Sequence, residues 1–128
     1  SPGRFERLCA SSSRWTTVRF VGRSTDVRED NVQKWGFIYT LGDEDGAVRR
    51  DVIGSPACEL ICVGIPSVDG AAEAARGLME SGVQLIELCG AFEAEGLAAV
   101  KNEVEGKIPV GAVFYGGDAA SGLHRLFS

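Results

Sequence analysis

Apolar and polar residues follow two rhythms along this chain, and the changes of rhythm mark its elements. Lys34 to Thr40 (KWGFIYT) is aromatic and β-branched and ends at Gly42 and the acidic turn Asp43-Glu44-Asp45-Gly46, so it predicts a strand. Val48 to Ile53 predicts a short strand paired after that turn. Pro56 interrupts, and Cys58 to Ile65 (CELICVGI) resumes as a mostly apolar strand of the kind that parallel sheets bury. The rhythm then becomes helical. Val68, Ala71, Ala72, Ala75, Leu78 and Met79 recur at helical spacing, with Ser67 placed to cap the helix, Asp69 near its positive end and Gly82 to stop it. Val83 to Gly90 (VQLIELCG) is apolar on both faces apart from Gln84 and Glu87, as a central parallel strand should be. Glu93 to Glu105 predicts a second helix with Leu97, Val100 and Val104 on one stripe and Gly106 at its end. Ile108 to Tyr115 (IPVGAVFY) is the last strand, with Pro109 tolerated near its start. After Gly116-Gly117, Asp118 is placed to cap a short terminal helix whose Leu123, Leu126 and Phe127 dock on the body.

Strand, helix, strand, helix, strand between residues 57 and 116 requires right-handed parallel crossovers. The expected fold class is therefore α/β: a small, open, mainly parallel sheet around a βαβαβ unit, preceded by one or two strands and an N-terminal extension. Residues 1–31 read as that polar Arg/Ser-rich extension and residues 32–128 as a single α/β domain. Within the extension, Trp15 to Val21 (WTTVRFV) has the composition of an added edge strand, while its arginines also fit a transit peptide or an upstream remnant. A length of 128 residues suits one domain with its own core.

The net charge of −5 is unevenly distributed, because Arg4, Arg7, Arg14, Arg19, Arg23 and Arg28 crowd the first thirty residues. The rest of the chain is more acidic than the total suggests. It lacks the basic stripe that a phosphate backbone requires, which argues against nucleic acid as a partner. No apolar run reaches the roughly 18 residues that span a bilayer, so a soluble protein without a membrane partner is expected. Of the four cysteines, Cys58, Cys62 and Cys89 sit in apolar runs where the thiol behaves as a small hydrophobe. Cys58 and Cys62 would lie about 13 Å apart on one strand face, too far for one metal. Neither a disulfide framework nor a metal site is evident, and a reducing, cytoplasmic setting is the simpler expectation.

In an open parallel sheet the ligand crevice lies beyond the carboxyl ends of the strands, which nominates Tyr39, Thr40, Ser67, Gly90, Phe92, Tyr115, Gly116 and Gly117 as ligand-binding residues. Glu87 stands out, since a carboxylate within an apolar strand must be paired, solvated at a mouth or partly protonated. Alternation puts Glu87 and Cys89 on one face about 6.6 Å apart, within reach of one small ligand. Both are candidate catalytic residues, Glu87 as acid or base and Cys89 as nucleophile or polarizable wall. Structural readings stand beside these: Glu87 bonded to backbone or to an arginine, and Cys89 packed as core. Gly116-Gly117 resembles a backbone nest for a phosphate or carboxylate group, but a glycine pair after a strand is more often a plain turn. His124 is the one histidine of the chain and reads as a surface helix residue unless the terminal helix folds over Cys89. No dinucleotide fingerprint, Walker loop or nucleophile elbow motif occurs, and no cofactor is expected.

From Trp35 onward the chain resembles a family of short bacterial domains of uncharacterised function, by the runs Trp35-Gly36-Phe37-Ile38-Tyr39, Gly82 through Phe92 and Pro109 through Val113. The likeness covers about residues 33–116. It brings no activity with it, but it directs attention to Glu87, Cys89, Gly90 and Phe92. Gly82 to Glu87 is also similar to a stretch of the keto-deoxy-phosphogluconate aldolase barrels, although no lysine ends a strand here to form a Schiff base. Two functions are consistent with these residues. One is a lyase or isomerase acting on a small polar carbonyl or carboxylic compound through Glu87. The other is a non-catalytic small-ligand-binding or assembly module, and under both a homo-oligomer, dimer or larger, is expected.

Overall fold

The structure is a computed structural model and describes residues 31–128; the expected strand at Trp15 to Val21 lies outside them. In chain order the elements are β1 (Lys34–Thr40), β2 (Arg49–Ser55), β3 (Cys58–Ile65), α1 (Ala71–Glu80), β4 (Ile86–Leu88), α2 (Glu93–Val104), β5 (Val110–Ala112) and α3 (Ala120–Phe127). A single 3-10 turn precedes each helix. The strands form one open sheet in the order β2-β3-β1-β4-β5. Every neighbouring pair is parallel except the β2–β3 hairpin. The α/β class with a mainly parallel sheet is thus as expected.

The position of β1 is the new feature. It lies between β3 and β4, so the crossover through α1 passes over it rather than joining adjacent strands. The segment 41–48 must also pass the carboxyl end of β3 to reach β2, and Leu41 N donates to Ile65 O there at 2.9 Å. The chain thus leaves β1 toward one edge of the sheet, to β2, and leaves β4 through α2 toward the other edge, to β5, so the two exits diverge.

Alternation of side chains divides the sheet into two faces. On one, Ile38, Ile61, Val63, Ile65, Ile86 and Leu88 pack against Ala71, Ala75 and Leu78 of α1 and Val100 and Val104 of α2. Gly36 permits this contact, because a Cβ at that position would lie 2.7 Å from Leu78 Cδ1. Arg76 Nε and Glu103 Oε1 join α1 to α2 at 2.7 Å. The other face carries Phe37, Tyr39, Cys62, Gly64, Glu87 and Gly111, and Phe37 and Tyr39 stack there with centroids 6.5 Å apart.

Several local expectations are refined. Ser67 is extended and makes no capping bond, and it leads into the turn Val68–Gly70 before α1. Gly82, at φ +81°, does end the helix, with its N–H donating to Met79 O. At the end of α2 the first left-handed residue is Glu105, one position before Gly106. The strands β4 and β5 are shorter than their apolar runs. Pairing nonetheless continues past them through Gln84 N to Lys34 O, Cys89 N to Ile38 O and Val113 N to Leu88 O. Pro109, lacking an N–H, still accepts from Ile86 N. Gln84, the polar exception in its run, uses its side chain as a clasp: Oε1 accepts from Gln33 N at 2.6 Å and Lys34 N at 3.1 Å, and Nε2 donates to Asn31 O. Cys58 is buried but disulfide-bonded, where the apolar pattern predicted a free thiol.

Candidate functional site

The divergence of β1 and β4 makes a topological switch point, where open α/β sheets leave a crevice beyond the strand ends. A cleft of about 720 Å³ occupies that place. Thr40 at the end of β1, Cys89 and Gly90 after β4, Glu93 at the start of α2, Tyr115 after β5, and Leu123 and Phe127 of α3 all line it. Its volume lies within the usual range for small-molecule sites.

Local sequence explains how these residues converge. Cys89 N still pairs with Ile38 O, so β4 is held against β1 up to the rim. The chain then turns through Gly90–Phe92, driving the Phe92 ring into the core, where it is 3% exposed. Starting α2 directly after this buried anchor puts Glu93 at φ 53°, ψ −161°, a region that side-chain-bearing residues rarely occupy. Gly90 lies under Tyr115, whose Cε2 would be 3.0 Å from a Cβ at that position. Glycine there lets the ring rest on the backbone. Phe114 and Tyr115 remain 62% and 60% exposed, and Phe127 83%.

Of the residues nominated from sequence, the fold brings Thr40, Cys89, Gly90 and Tyr115 together in this cleft. Tyr39 is on the sheet face turned away from α1 and α2, over Gly64, where a Cβ would lie 2.7 Å from the Tyr39 ring, and it does not line the cleft. Glu87 is on that face too, half-buried and opposite Phe37 and Gly111 in the ladder, and it is not free of partners. Ser67 precedes α1, Phe92 is core, and Gly116 and Gly117 form the turn before α3. His124 is exposed, bonds to Ser128 through its ring and is not among the residues that line the cleft. Glu93, Val113 and Phe114 were not foreseen. The terminal pair Leu123 and Phe127, spaced i and i+4, was legible as a docking stripe, whereas its role as a pocket wall was not.

The free thiols among the described residues, Cys62 and Cys89, have different surroundings. Burial, helped by Asp51 opposite it in the β2–β3 ladder, pushes the Cys62 thiol above its ordinary pKa. A smaller fraction is then thiolate at pH 8, so Cys62 is expected to react with iodoacetamide more slowly than Cys89. Peptide mass spectrometry of a timed reaction checks this, and faster labelling of Cys62 would contradict the placement of both thiols. Among the described residues no cluster of three or more His, Cys, Asp or Glu could hold a metal ion. None of their helices is long and apolar enough to cross a membrane.

Fold and site together define a small α/β domain with an open, mainly parallel sheet and a cleft at its strand ends. The chain belongs to a family of unknown function (DUF6506), whose sequence pattern matches residues 33–128. No curated protein and no solved structure matches it.

Proposed function

We propose that this chain binds a small organic ligand in the cleft at the ends of β1, β4 and β5. The single observation that carries the reading is the coincidence of that cleft with the topological switch point, where the sheet has no strand end to fill it. Exposed aromatic rings together with a few polar groups, Thr40, Cys89 and Glu93, form the mixed lining that ligand sites use. The lyase or isomerase reading rests on Glu87, which does not line this cleft and has a partner of its own. A binding site without chemistry at Glu87 is the better fit.

Gly90→Val tests this reading. The added side chain displaces the Tyr115 ring and narrows the cleft, so ligands that raise the melting temperature of the wild-type chain should fail to raise that of the variant. The unliganded variant should melt within a few degrees of wild type, since the ring that the new side chain meets, Tyr115, is 60% exposed and can swing outward. Equal ligand-induced shifts in both chains would contradict the site.

A second reading, assembly, has an observation of its own: β2 is exposed along its whole length, with Val48, Val52 and Ile53 each more than half exposed. Such an edge can pair with the same strand of another copy. Val52→Lys should then shift the chain to a smaller species in light scattering after size exclusion, and an unchanged mass would remove this reading.

A further inference from the structure

The lining of the strand-end cleft is unbalanced in charge. Among the described residues, Glu93 is its one carboxylate, and no Lys, Arg or His lines it. The positive end of α2, which could otherwise attract an anion, is already met by Glu93 and Glu95 in its first turn. Beyond the cleft, the net charge of −5 also favours approach of a cation. The rest of the wall is apolar or aromatic, and the exposed rings of Phe114, Tyr115 and Phe127 stand at the rim.

We propose that the cleft selects a cationic amphiphile, an organic ammonium compound whose charged nitrogen sits beside Glu93 and whose apolar part lies among Phe114, Tyr115 and Phe127. The inference deepens the ligand-binding reading and rests on it. An ammonium group gains a charge-assisted hydrogen bond from the Glu93 carboxylate and attraction from the faces of the aromatic rings. A carboxylate ligand of the same shape gains neither and meets a like charge. The small carboxylic compound expected from sequence is therefore the disfavoured class, while the neutral analogue should fall between the two. Glu93 also explains its own conformation in functional terms: unfavourable backbone geometry at a cleft wall is tolerated where it aims a side chain at a ligand.

Three probes of similar shape and different charge distinguish the outcomes: 2-phenylethylamine, 2-phenylethanol and phenylacetate, titrated calorimetrically into the full chain at pH 7 and low salt. The ammonium probe is expected to bind at least ~10-fold more tightly than phenylacetate, in keeping with one charge-assisted bond. Glu93→Gln keeps the shape and backbone of the wall and should reduce that ratio to near one. Phenylacetate binding as well as the amine, or a preference that survives in Glu93→Gln, would overturn the charge inference and leave the pocket standing. If none of the three binds, the ligand-binding reading itself falls, and the charge inference with it.

Discussion

Leu78→Ala is expected to lower the unfolding free energy by about 2–5 kcal/mol. Leu78 is fully buried in α1 and its methyl groups rest on Gly36, in the central strand of the sheet. Alanine there removes the apolar contact and leaves a void. The facing residue has no side chain to move into it. Gly36→Ala alone should also destabilise, because its methyl would lie 2.7 Å from Leu78 Cδ1. Combined, the two substitutions should cost less than their sum by about 0.5–3 kcal/mol, as the new methyl enters the space that Leu78 vacates. Urea denaturation of the two single variants and the double variant measures the coupling. Strict additivity would mean that α1 does not cross β1 at this contact.

The second large effect concerns Glu93 and has an unusual sign. At an ordinary position glycine is less stable than alanine by roughly 0.4–1 kcal/mol, through the greater freedom of the unfolded chain. At φ 53°, ψ −161° alanine retains the steric strain and glycine relieves it, a difference of about 1–3 kcal/mol in the opposite direction. Glu93→Gly should therefore be more stable than Glu93→Ala, while both lose the carboxylate and bind the ammonium probe equally weakly. Stability and binding are separated in one pair of variants. An alanine variant as stable as or more stable than the glycine variant would show that Phe92 does not force this turn.

Local features of the fold were readable from sequence to different degrees. β1 and β3 occupy the residues that their apolar runs predict, because in each a turn or a proline limits the run at the neighbouring hairpin. The run Val83 to Gly90 predicts eight strand residues, yet only three form the ladder on both sides, since Gln84 leaves the pattern to clasp the start of β1. Insertion of β1 between β3 and β4 is not a local property. It depends on pairing between residues some fifty positions apart, such as Gly36 with Ile86, and no periodicity encodes it.

That one topological fact also decides how much of the site was legible. The rule that ligands meet strand ends picks out Thr40, Cys89, Gly90 and Tyr115, which do line one cleft, because it needs only the direction of each strand. It could not tell which side chains near a strand end reach past it, and so it grouped Tyr39 and Glu87 with them. Glu93 was missed for a different reason. Helix-starting glutamates are ordinary in composition, and its special feature is a backbone angle imposed by the burial of Phe92, which appears only in three dimensions.

The claim on which the rest depends is that a ligand enters the strand-end cleft. Nitrogen-15-labelled chain titrated with 2-phenylethylamine tests it most directly, by the amide signals that move. The account predicts saturable shifts concentrated at Thr40, Gly90, Ala91 and Tyr115, with the amides of Gly70 and Gly77, beside the separate groove of about 280 Å³ between α1 and β2, unchanged. Shifts centred on that groove, or spread thinly over the acidic surface without saturation, would contradict it.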